Sequence, residues 1–146
     1  MRFFSALLPV FTLAASSVVA QHAFILAPAD QTQVAAGSGF DVSIAQPNSI
    51  SSWENIALVI GLLNCAAQLD SDGNCLGTSQ GLGTILYNGP FNPVLVQGAP
   101  PNQNFTLTVP TDFQKGASQL GVALFDLVGA RFIPSLQTFN TTIIVT

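Results

Sequence analysis

From Ile56 to Leu63 the chain carries eight residues interrupted only by Gly61, and two positions later it reaches Cys65, one of its two cysteines. A run this short, rich in Val and Ile and flanked by turn residues, reads as a strand buried on both faces. The chain then crosses the polar loop Leu69-Asp70-Ser71-Asp72-Gly73-Asn74, meets Cys75, and returns as Gly83-Thr84-Ile85-Leu86-Tyr87-Asn88-Gly89-Pro90. Ile56 to Pro90 is therefore predicted to be two buried apolar strands joined by a stapled loop. Two cysteines in an oxidising compartment pair with each other. A loop closed over ten residues stabilises by about 2–3 kcal/mol in the chain-entropy model.

Other strands follow from alternation. Phe40, Val42 and Ile44 alternate with Asp41 and Ser43, and Phe105, Leu107 and Val109 alternate with Asn104, Thr106 and Thr108. This period of two marks half-buried strands. His22 to Ala27, Phe91 to Gln97, Leu120 to Val128 and Phe139 to Val145 supply further strands. Ala29 to Ser38 and Gly98 to Pro101 read as turns. No helical period is present. The expectation is a single all-β domain, an immunoglobulin-like antiparallel β-sandwich of about seven to eight strands. The antibody cysteine framework is absent, because these two cysteines close a local loop.

The N-terminus has the form of a secretory signal. Arg2 precedes an apolar stretch from Phe3 to Ala15, and Ser16-Ser17-Val18-Val19-Ala20 ends in small residues suited to cleavage. Cleavage after Ala20 divides the chain into a signal peptide, 1–20, and a β-sandwich domain, 21–146. Removing 20 of 146 residues leaves 126, a common size for one domain. No membrane span is expected in it, and the C-terminus lacks the spacer and tail of a lipid-anchor signal. The predicted location is extracellular.

The mature chain keeps Lys115 and Arg131 against seven carboxyl groups, a net charge of −5. Two isolated cations build no phosphate-binding stripe, so nucleic acid is not an expected partner. Asn104-Phe105-Thr106 and Asn140-Thr141-Thr142 are glycosylation sequons, and the alternation turns Asn104 and Asn140 outward.

Metal and catalytic chemistry find few residues. A copper site built on an N-terminal histidine needs a second histidine, and His22 is the only one. Asp70-Ser71-Asp72-Gly73-Asn74 opens like a calcium loop, but Cys75 and Gly81 stand where that loop needs glycine and glutamate. No cofactor is expected. A glycosidase pair needs two carboxyl groups facing one cleft. Glu54 and Asp126 are candidates, but their spacing singles out neither. Asp126, between Phe125 and Leu127, reads as an outward-facing strand residue or one near a strand end, and Trp53 as a cap on the core. The expectation is a protein that is not an enzyme.

With these residues in view, the chain resembles the NIS1-like family of small secreted fungal proteins, the necrosis-inducing effectors. The resemblance rests on Ile25-Leu26-Ala27-Pro28 with Gly37-Ser38-Gly39-Phe40, on Ala57 to Leu62 leading to Cys65, and on Gly83 to Pro90. Asn104 to Pro110 continues it. It implies an effector that acts by binding, with host receptor-like kinases as partners. The exposed loop Ala66 to Asn74 is the first surface to test for such a partner. The alternative is a β-sandwich that binds cell-wall or surface polysaccharide without catalysis, with Trp53 as its stacking platform.

Overall fold

The computed structural model describes residues 22–49 and 52–146. The signal peptide expected at 1–20 lies outside the described residues. Nine strands are present among them: β1 (Phe24–Ala27), β2 (Thr32–Val34), β3 (Gly39–Ala45), β4 (Trp53–Asn64), β5 (Thr84–Gly89), β6 (Val94–Val96), β7 (Ala99–Thr108), β8 (Gly116–Val128) and β9 (Ile133–Val145). They form a four-stranded sheet in the order β1-β3-β7-β6 and a five-stranded sheet in the order β2-β9-β8-β4-β5. None of the described residues lies in a helix long and apolar enough to cross a membrane.

The all-β, two-sheet architecture is the expected one, with three corrections. Thr32–Val34, read as part of a turn, is a strand, and it pairs parallel with Ile143–Val145. The fold is therefore not purely antiparallel, and the strand count rises to nine. A three-residue strand carries too few positions for a period to register. Ala99 to Pro101, read as a loop, begins β7 against the edge strand β6, beyond Ala45–Asn102, the last pair of β7 with β3. The third correction concerns β5. It is the edge of its sheet and largely exposed, so the buried partner of β4 is β8, not β5.

The core lies between the sheets. Val42, Ile44, Phe105, Leu107 and Val109 face it from one side, and Leu58, Ile60, Leu62, Leu120, Val122, Leu124, Ile143 and Val145 from the other. Leu58, Ile60, Leu62, Leu120, Val122 and Leu124 have no exposed surface. Each fully buried side chain of this kind contributes roughly 1.5–3 kcal/mol of burial. Tyr87 packs its ring on Phe105 with centroids 4.6 Å apart, and its hydroxyl donates to the Pro90 carbonyl at 2.7 Å. This fixes the Asn88-Gly89-Pro90 turn against the sandwich.

The connection from β4 to β5 is not a tight hairpin. It folds back across the outer face of the five-stranded sheet. The Cys65–Cys75 disulfide packs there on Ala117, with Ile144 beside it. Farther on, the chain passes over Gly61 and Gly121, which face each other on β4 and β8. A Cβ on Gly61 would overlap the Leu82 carbonyl oxygen, and one on Gly121 would come within 2.9 Å of the Leu82 side chain. The two glycines form a slot that Leu82 fills. Gln119 is buried beneath the same segment, and its Nε2 donates to the Gly81 carbonyl at 3.0 Å.

Filling the slot from below should break this layer. Gly61→Ala is expected to cost about 1–3 kcal/mol in urea unfolding, the range for overpacking against an unyielding neighbour. Gly39→Ala is the control, since its nearest new contact would be an ordinary 3.8 Å, and its midpoint should stay near wild type.

Candidate functional site

Three places hold the residues that chemistry or binding would use. The first is the disulfide loop. Cys65 N–H donates to the Ala117 carbonyl at 3.0 Å and Cys75 N–H to Thr142 Oγ1 at 3.1 Å, so both cysteines are tied to the sheet. Between them, Asp70 Oδ1 accepts from the backbone of Asp72 at 2.9 Å and of Asn74 at 2.8 Å. The carboxyl group organises its own turn, as Asp side chains do in such bends. Gly73 takes φ 83°, which the Asp-Gly-Asn sequence supplies. Ala66 to Asp72 are exposed, and Gly73 and Asn74 are half-buried. Among the described residues no group of three or more His, Cys, Asp or Glu is arranged to hold a metal ion, and His22 is exposed.

The second place is one end of the core. Leu120, Val122 and Leu124 face inward, and Asp126 continues their phase with no exposed surface. Of the two readings of Asp126, the outward one is corrected, because the strand's period of two carries it inside; it does lie near the end of β8. Gln137 on β9 donates its Nε2 to Asp126 Oδ2 at 2.9 Å, and its own Oε1 accepts from Ala23 N–H at 2.9 Å. Asp126 Oδ1 has no hydrogen-bond partner among the described residues. Its cross-strand neighbour is Asn55. Asn55 and Gln46 exchange two amide hydrogen bonds, at 2.7 and 3.1 Å, and Gln46 is only 2% exposed. The core therefore ends in a polar layer of four side chains, of which Gln46, Asn55 and Gln137 carried no sequence signal.

The third place is an open cleft of about 650 Å³ above that layer, lined among others by Gln46, Trp53, Glu54, Asn55, Asn92 and Leu95. Trp53 is half-buried and outside the core cluster, so it lines a cleft rather than capping the core. Glu54 is exposed and lines the cleft; Asp126 does not. The fold does not bring the two carboxyl groups to one cleft. Elsewhere, Asn104 and Asn140 are both exposed.

The sequence profile of the Nis1 family matches residues 19–144. The chain belongs to the Nis1 family. Necrosis-inducing secreted protein 1 of Colletotrichum higginsianum (strain IMI 349063) is 27% identical over 113 residues, which are 77% of this chain and 71% of that protein. Among solved structures, a superoxide reductase (neelaredoxin) of Ignicoccus hospitalis superposes with a TM-score of 0.51 at 16% identity, covering 90% of this chain and 89% of the other. A variant of that reductase gives 0.50 over 90% and 87%. At this identity the likeness is one of fold. It nonetheless corrects the expectation that the Nis1 chain is not an enzyme, because its architecture is shared with enzymes.

The polar end of the core makes its own prediction. Gln137→Leu removes the one hydrogen bond that the described residues give a fully buried carboxyl group and should destabilise by about 2–4 kcal/mol in chemical unfolding. Asp126→Asn keeps an acceptor for Gln137 and should cost markedly less.

Proposed function

We propose that this Nis1-family chain is a secreted, N-glycosylated, effector-like protein that acts by binding host proteins. The observation that carries the reading is its membership of the family together with its kinship to a necrosis-inducing secreted protein. The resemblance implies host receptor-like kinases as the partners. The disulfide suits an oxidising, extracellular location. The scaffold is read as an immunoglobulin-like sandwich that presents one sheet face to the partner.

That face has two halves. The β4–β5 connection covers one, where Leu69 and Leu76 stand exposed beside the disulfide. The other half is bare among the described residues. Phe125 and Leu136 are direct cross-strand partners, 38% and 69% exposed, and Ile56 in the bulge opposite is 43% exposed. Neighbouring exposed apolar side chains on a sheet face mark a surface for protein contact.

Transient expression in leaves, read as the oxidative burst after elicitor treatment together with cell death, tests the reading. Wild-type protein is expected to suppress the burst or to cause cell death; neither effect would end the effector reading. Leu136→Asp should abolish the effect while leaving the unfolding midpoint nearly unchanged. Treatment of the secreted protein with peptide N-glycosidase should increase its gel mobility, and Asn104→Gln with Asn140→Gln should remove that shift.

A further inference from the structure

We propose that the cleft beside the start of β4 binds a neutral, polyhydroxylated ligand, a segment of β-linked glycan. Ile56, Phe125 and Leu136 do not line the cleft, so this proposal stands or falls apart from the effector reading.

The chemistry of the lining selects the ligand class. Gln46, Asn48, Asn55 and Asn92 present four side-chain amides, and Glu54 adds one carboxyl group. An amide carries two N–H donors and an oxygen with two acceptor sites. The reciprocal bonds between Gln46 and Asn55 use one donor and one acceptor site on each, and they hold both side chains in place. An anion would find no cation among the described residues here, since neither Lys115 nor Arg131 lines the cleft. A cation would meet a single carboxyl group and leave the amide donors without acceptors. Phe91, Pro93, Leu95 and Pro101 add apolar wall, but an apolar ligand would still strip water from the exposed Asn48, Glu54 and Asn92 and return no hydrogen bond. A hydroxyl both donates and accepts, so a ligand dense in hydroxyls can serve amides and carboxyl group together.

The remaining face of a sugar is apolar C–H surface, and Trp53 meets that requirement. A half-buried indole on a strand offers a rigid plane at low entropic cost. The cleft volume of about 650 Å³ lies within the roughly 300–1,000 Å³ of small-ligand sites. Gln46, being 2% exposed, supplies a floor that is already ordered before any ligand arrives.

Trp53 is the only tryptophan in the chain, so its fluorescence reports on this cleft alone. Titration with laminarihexaose, cellohexaose and chitohexaose should give a saturable change with at least one of them. By calorimetry with the same oligosaccharide, Trp53→Ala should weaken binding about tenfold or more. Glu54→Gln and Asn92→Ala alter exposed side chains, keep the fold testable, and should each weaken binding about threefold or more. No saturable response to any of the three sugars would overturn the proposal, as would undiminished affinity in these variants. Binding of an arginine-rich peptide in the cleft, lost in Glu54→Gln, in place of the sugars would also overturn it.

Discussion

Strand β8 pairs with β4 from Trp53–Val128 to Asn64–Ser118 and with β9 along its whole length, and this continuous ladder positions everything else. Its inner face supplies Leu58, Ile60, Leu62, Leu120, Val122, Leu124, Ile143 and Val145, half of the buried core. Its outer face receives the disulfide on Ala117 and the Leu82 segment on Gly61 and Gly121. Without side chains at those two glycines, the backbone of the connection can lie against the sheet. With them it could not, and the part of the outer face under Leu82 would lose its cover.

The same ladder explains why one end of the core is polar. Strands this long outrun the apolar volume between the sheets, and their inward positions continue past it. Asp126 is one such position, and Gln137 and Ala23 form the chain of hydrogen bonds that holds it. Asn55 and Gln46 do the same from β4 and from the end of β3. Partnered polar groups can be buried at little cost, and an unpartnered oxygen cannot. This layer is thus the least economical part of the interior, and its Gln46 and Asn55 line the cleft that Trp53 and Glu54 flank.

Much of the scaffold was legible in the chain. Alternation placed β3 and β7 and turned Asn104 outward; the apolar run marked β4; the cysteine spacing marked the loop. The reading failed where residue type and period disagreed. Counting by twos from Leu120 puts Asp126 inside, but its carboxyl group argued for outside, and its partner Gln137 is eleven residues away on another strand. Trp53 was misplaced for a related reason: a tryptophan at a strand start is compatible with core or cleft, and neighbours from the β5–β6 connection decide which. The likeness to superoxide reductases was beyond reach, because at 16% identity only the path of the backbone is shared.

By itself, the sequence determined the strand-forming segments, the local disulfide and the acidic, cation-poor character, since these depend on local spacing and composition. Only the tertiary structure decided that β8, not β5, is the buried neighbour of β4, that β2 joins β9 in parallel, and that the β4–β5 connection becomes a third layer. Those outcomes depend on which strands meet across long stretches of chain. The core is filled by whichever pairing buries most apolar surface, and a slot between two glycines exists only once their strands lie side by side.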